Sequence, residues 1–188
     1  MELSAYLEKE GGLPKEIITL LDEIFDYQEL PKNHILLANG SRSKQVFFIE
    51  EGLLRIFYYK DGKDITDYFF KEDIFFLSVE SVFLNQEYHY SYELLENCKI
   101  RVANYSKIEA LLDAFPKLNA FVIMVMAYHI KILSDRVCDL QFQSAQNRYR
   151  DLITYSPDLV LRAPLGYIAS YLGITQQTLS VIRATTKF

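Results

Sequence analysis

Nine consecutive residues near the C-terminal end, Thr175 to Arg183, carry the most specific chemistry in the chain. If Leu179 and Ile182 turn inward on a short helix, then Thr175, Gln176, Gln177, Thr178, Ser180, Val181 and Arg183 share its exposed side. Glutamine can pair bidentately with adenine, valine can touch a thymine methyl, and arginine can hold guanine. Thr175 and Thr178 are candidates for phosphate contacts. A short polar helix led by its N-terminus has the shape that enters a DNA major groove. Arg183 has a second reading, as a solvated cation that complements a helix C-terminus.

Such a helix needs a support, and the preceding residues supply one. Ala169, Gly173, Leu179 and Ile182 fall in the spacing A-x3-G-x5-L-x2-I. Ala169 is small where two helices would cross. Gly173 stands where the chain would leave the first helix, a place that favours positive φ. Thr175 is a good N-cap for the second helix. Ile168, Leu172, Ile174, Leu179 and Ile182 can close a small core between the two. This predicts a helix–turn–helix over residues 165–183; the plainer alternative is an αα-hairpin with no reading function.

Elsewhere the sequence offers little for catalysis. Cys98 and Cys138 are too few for a cysteine-ligated cluster or a disulfide framework, and are expected to be reduced, packed thiols. His34, His89 and His129 are scattered, without metal-site spacing. A metal enzyme built on β-structure therefore finds no ligand set, and neither an enzymatic activity nor a cofactor is expected. The chain has 188 residues, half of them hydrophobic, and a net charge of −5. Residues 141–188 hold five cations against two acids, a net +3, which leaves −8 on residues 1–140. The basic part is the part with the helix–turn–helix, as nucleic-acid binding requires. No apolar run approaches the roughly 20 residues of a membrane span, and the N-terminus has no signal-peptide pattern. A cytoplasmic protein is expected.

The order of elements then follows from periodicity. Residues 3–26 read as two helices divided by Gly11-Gly12 and Pro14. From 29 to 105 the pattern shortens and turns aromatic and β-branched. Strands are expected at 34–38, 46–50, 53–59, 65–70, 88–95 and 99–105, with Asp61-Gly62 as the clearest hairpin turn. Six or more short strands suggest a sandwich or jelly roll. Residues 75–83 are ambiguous and could form a short helix within it. Ser106 resembles a capping start, and Pro116 opens a long helix to about Asp139. On that helix Ile123, Met126, Ile130, Leu133, Val137 and Leu140 follow a 3-4-3-4-3 spacing, a short heptad seam. Leu118, Val122, Val125 and Ile132 form a second apolar line beside it. One line can rest on the β-structure; the other wants a partner, and a twin chain is the simplest. Residues 141–146 read as a hinge with Ser144 as a cap. Residues 147–155 read as a helix with Tyr149, Leu152 and Ile153 inward, and 159–162 as a link.

A β-roll, a long helix and a C-terminal helix–turn–helix, in that order, resemble the Crp/Fnr family of bacterial transcription regulators over nearly the whole chain. The most specific match is YIASYLGITQQTLSVIR, and EEGLLRIFYYKDGKDITDYFF resembles the glycine-punctuated hairpin of the family's roll. The resemblance implies an α+β architecture: a double-stranded β-helix (jelly-roll) effector-like domain over 1–115, a dimerisation helix over 116–140, and a winged-helix-like helix–turn–helix domain over 141–188. It implies a homodimer on double-stranded, pseudo-palindromic DNA, contact with RNA polymerase, and a small-molecule effector.

Two departures from that family stand out. Its cyclic-nucleotide-binding members hold the phosphate with a Gly-Glu-Leu turn and a downstream Arg-Ser pair. Residues 72–93 here contain no Gly and no Arg, but do contain Glu72, Asp73, Glu80, Glu87 and Glu93. A phosphate there is expected to face carboxylates, so cyclic AMP should not be the effector. Tyr88, Tyr90, Tyr92 and Phe75 read either as core or as a pocket lining. The family also often places Arg, Glu and Arg where Gln176, Gln177 and Val181 stand, so the operator should differ and be richer in A·T. The competing reading is a small-molecule or protein-interaction module that has lost DNA binding; a salt series on DNA affinity separates the two.

Overall fold

The computed structural model describes residues 1–185; Lys187 of the C-terminal charge count lies outside them. Two short helices, α1 (Leu3–Lys9) and α2 (Lys15–Ile24), precede eight strands: β1 (Asp26–Leu30), β2 (Ile35–Leu37), β3 (Gln45–Glu51), β4 (Leu54–Lys60), β5 (Lys63–Phe70), β6 (Ile74–Leu77), β7 (Ser91–Leu94) and β8 (Cys98–Asn104). Helix α3 (Val79–Phe83) interrupts the strands. Helices α4 (Tyr105–Leu112), α5 (Pro116–Phe142), α6 (Ala145–Tyr155), α7 (Pro157–Arg162), α8 (Leu165–Tyr171) and α9 (Gln176–Thr185) follow.

The strands form two four-stranded antiparallel sheets, in the orders β1-β8-β3-β6 and β2-β7-β4-β5. Asp61 and Gly62, with φ of 52° and 72°, make the two-residue turn between β4 and β5, where Lys60 faces Lys63. Positive φ at both central residues is what a hairpin turn matched to strand twist requires. The ambiguous stretch 75–83 resolves into two elements, strand β6 and helix α3, whose N-cap Ser78 accepts from the Ser81 amide. Strand β1 lies mostly before the segment expected to be β-structure. Four of its five residues are exposed, so it carries no clear alternation to be read.

Three apolar clusters hold the chain together. Phe47, Ile49, Leu54, Ile56, Tyr92 and Ile100 fill the space between the sheets. Val46 and Phe48, on the opposite face of β3, join α1, α2, α4 and the start of α5. Strand β3 is therefore buried on both faces, which explains its unbroken apolar run. Leu53, Phe69 and Leu95 leave the roll on its other side and join Tyr149, Leu159, Ile168, Ala169, Leu172 and Leu179 of the C-terminal helices.

Local charges fix the seams between these layers. Glu50, buried, accepts from the Leu3 amide at 2.9 Å and from Arg101 Nε at 2.8 Å, and so satisfies the N-terminus of α1. Helix α4 starts one residue before Ser106, because Asn104 supplies the cap by accepting from the Ser106 amide at 3.1 Å. Residues 159–162, expected as a link, belong to the short helix α7 (Pro157–Arg162), with Pro157 in its first turn. Among the described residues no strand follows α8 or α9, so the C-terminal part is helical there and shows no wing.

Cys98 is packed against the backbone of the β3–β4 corner, and burial pushes its thiol up to about 11. Gly52 forms that corner with φ +122°, and a Cβ on it would stand 2.3 Å from Cys98 Sγ. Gly52→Ala is expected to lower unfolding stability by about 3 kcal/mol, from backbone strain plus overlap, read as a lower urea midpoint at unchanged slope. A loss below about 0.5 kcal/mol would show that the corner relaxes freely.

Candidate nucleic-acid interface

Helix α8 ends in a Schellman motif. Gly173, with φ +70°, lets its amide reach the Ser170 carbonyl at 2.9 Å, while the Ile174 amide reaches the Ala169 carbonyl at 3.0 Å. Thr175 Oγ1 then accepts from the Thr178 amide at 3.1 Å and caps α9. Ile168, Ala169, Leu172 and Leu179 are fully or almost fully buried, and Ile174 and Ile182 pack beside them. Two helices meeting through this core must present the opposite side of α9 outward.

That side carries the expected residues. Thr175, Gln176, Gln177, Thr178, Ser180, Val181 and Arg183 are all exposed, Val181 at 64%. Their hydroxyls are partly committed: Thr178 Oγ1 meets Thr175 Oγ1 at 2.9 Å, and the Ser180 hydroxyl donates to the Gln176 carbonyl at 3.0 Å. Gln176 lies back toward α8, its Oε1 beside Gly166. Among the described residues the side chains of Gln177 and Arg183 make no hydrogen bond or ion pair, and Val181 is exposed beside them.

Fewer of the C-terminal cations face outward than their number implies. Arg148 does not face outward. Its guanidinium donates to the Leu172 carbonyl at 2.8 Å and to the Gln143 carbonyl at 2.6 Å, tying the end of α8 to the end of α5. Arg162 is engaged as well, with Glu72 and Glu96 of the roll and with Asp158. Of the five cations counted at the C-terminal end, Arg150 and Arg183 are exposed among the described residues.

The helix–turn–helix sits on the outer face of the second sheet. Arg55 of β4, buried there, pairs with Asp64 at 2.6 Å and Glu93 at 2.7 Å. Its guanidinium stacks between Phe57 and the Tyr167 ring of α8, 4.0 and 3.5 Å from the centroids. The Thr66 amide donates to Ser170 Oγ at 2.9 Å, and Lys71 pairs with Asp158 at 2.9 Å. The contacts of Thr66 and Lys71 were illegible in sequence, because their partners lie 104 and 87 positions away.

They also correct the reading of residues 72–93. Glu93 faces outward onto Arg55, and Glu72 faces Arg162 and accepts from the Gly52 amide at 3.0 Å. Asp73 pairs with the N-terminal amine, and Glu87 lies near Arg42 at the surface. A ring of carboxylates inside the roll is thus not present among the described residues. Tyr88 and Tyr92 are core, with ring centroids 5.0 Å apart; Phe75 and Tyr92 also line the cavity between the roll and α5.

On α5, Leu118, Val122 and Val125 pack into the second cluster, and Ile132 lines the same cavity. Ile123, Met126, Ile130, Leu133, Val137 and Leu140 are each between 38% and 68% exposed in a single chain.

A two-sheet roll followed by a long helix and a helix–turn–helix is the Crp/Fnr fold, and residues 27–115 match the cyclic nucleotide-binding domain family. The chain shares its fold with several solved regulators. CooA from Carboxydothermus hydrogenoformans is 21% identical, with TM-score 0.73 over 98% of this chain and 83% of that one. A structure described as a Crp/Fnr-family transcriptional regulator from Eubacterium rectale is 14% identical, with TM-score 0.72 over 95% and 85%. The c-di-GMP-responsive global regulator CLP from Xanthomonas campestris is 11% identical, with TM-score 0.72 over 91% and 90%. No curated protein matches the sequence. Among the described residues no helix is long and apolar enough to cross a membrane.

Arg162 predicts a pH signature for the contact between roll and helices. Burial alone would push the Glu72 and Asp158 carboxyls up. Hydrogen bonds from Arg162 to Glu72, and from Lys71 and Arg162 to Asp158, outweigh it, so both lie below their ordinary values of 4.5 and 3.8. A lowered native value stabilises the fold above the ordinary value and is lost as pH falls through the native one. Arg162→Met should therefore cost about 1–2 kcal/mol at neutral pH. The gap between wild type and variant should stay constant down to about pH 5 and close below about pH 4. Urea midpoints across that range check it; a gap unchanged at low pH contradicts the assignment.

Proposed function

We propose that the chain is a sequence-specific, DNA-binding transcriptional regulator that works as a homodimer in the cytoplasm and has no enzymatic role. The observation that carries this reading is the outward ridge of α9, held by a buried helix–helix core on a chain with the fold of known regulators. Gln177 and Gln176 read bases, Val181 meets a thymine methyl, Arg183 holds guanine or phosphate, and Thr175 and Thr178 steady the backbone. Two chains joined along Ile123, Met126, Ile130, Leu133, Val137 and Leu140 place two such ridges in successive major grooves, about 34 Å apart on a pseudo-palindromic site. RNA polymerase is the partner through which such a regulator acts. An effector other than cyclic AMP, bound in the roll domain, shifts the placement of the two ridges.

The fewer outward cations lower the expected affinity for random DNA, so discrimination must come from base contacts rather than from net charge. Selection from a random DNA pool should return a symmetric, A·T-rich consensus whose binding weakens steeply with salt. Gln177→Ala should cost about 1–3 kcal/mol at the preferred site and flatten base preference there, with the dimer intact. An asymmetric or absent consensus would support the interaction-module alternative.

The seam has its own test. Ile123→Glu with Val137→Glu buries two carboxylates at a paired interface, and should weaken dimerisation at least about 100-fold. Sedimentation across a concentration series reads this directly. A wild-type monomer at all concentrations, with DNA binding retained, removes the dimer from the mechanism.

A further inference from the structure

The cavity between the roll and α5 has a volume of about 500 Å³, within the range of small-molecule sites. Phe70, Phe76 and Tyr92 line it from the roll, and Phe121, Val125 and Ile132 from the helix. None of its lining residues is Lys or Arg. An anion entering it would shed its water and meet no lining cation.

Besides the hydroxyls of Tyr68, Tyr92 and Tyr105, two polar side chains break the apolar wall, His129 and Asp67. His129 Nδ1 lies 2.9 Å from the Val125 carbonyl. A carbonyl only accepts, so Nδ1 carries the hydrogen, and in the neutral ring Nε2 is an acceptor. That Nε2 is buried and has no hydrogen-bond partner among the described residues. The second group, Asp67, is half-buried, and burial pushes its carboxyl up, with Arg136 offsetting part of the rise. Buried polar atoms are normally paired, and a lone acceptor in an apolar wall is relieved by a donor brought from outside.

We infer that this cavity takes an uncharged, mainly apolar small molecule bearing one hydrogen-bond donor, and that the donor meets His129 Nε2. Phosphate-bearing ligands such as cyclic nucleotides are the wrong class for it. The inference names the effector class of the proposed regulator and rests on that reading for its consequence alone. Met126, Ile130 and Leu133 line the cavity and also belong to the exposed seam, so occupancy and pairing bear on the same side chains.

The full chain is titrated with N-phenyl-1-naphthylamine, a neutral apolar fluorophore, without DNA, so failure of the DNA-binding reading leaves this result untouched. Saturable enhancement is expected in wild type and absent in Val125→Trp, which fills the cavity. Competition then sorts the chemistry. 1-Naphthol should displace the probe about tenfold better than 1-methoxynaphthalene, which lacks the donor. 1-Naphthoate at about pH 7.5, where its carboxyl is ionised, and cyclic AMP should not displace it. In His129→Leu the naphthol advantage should vanish. The competition series in wild type stands even if a variant does not fold. No saturable enhancement, equal displacement by naphthoate, or a naphthol advantage that survives in folded His129→Leu overturns the proposal.

Discussion

A helix can hide one stripe against its own domain, and α5 carries two. Leu118, Val122 and Val125 are spent on the second cluster, which anchors the first half of the helix to the roll. The seam from Ile123 to Leu140 stays between 38% and 68% exposed among the described residues. Six large apolar side chains on one stripe, each at least 38% exposed, exceed the scattered exposure of a typical monomer surface. The same helix forms a wall of the apolar cavity and ends where Arg148 clamps the C-terminus of α8. Helix α5 therefore touches both the cavity and the support of α9.

The placement of α9 is governed by what its support touches. Helix α8 is pinned by Arg55 beneath Tyr167, by Ser170 on Thr66, and by the backbone clamp of Arg148. None of these contacts falls on the outward face of α9. Two of the C-terminal cations hold the domain together: Arg148 satisfies helix-end carbonyls, and Arg162 bridges to Glu72 and Glu96. Two cations of the C-terminal end, Arg150 and Arg183, stay exposed among the described residues.

The roll shows a related economy. Its interior lacks a lining cation because Arg55, the arginine of β4, points outward to the docked helices. Strand alternation decides this: Leu54 and Ile56 face the core, so Arg55 between them cannot. Phosphate is disfavoured by the apolar wall, the missing countercharge and the Asp67 carboxyl in the lining, whereas Glu72 and Glu93 point away.

What was legible in sequence was local. The helix–turn–helix core, the positive-φ position at Gly173, the caps at Thr175 and Ser144, the Asp61-Gly62 hairpin and the 3-4 spacing on α5 each depend on residues a few positions apart. Periodicity and turn chemistry encode such features directly. Only the tertiary structure decided which charges were structural, that β3 is covered on both faces, that α7 and α8 dock on β4 and β5, and that His129 and Asp67 meet at one cavity. Those outcomes depend on burial between distant segments, where one residue's neighbour is set by the packing of whole sheets and helices rather than by its place in the chain.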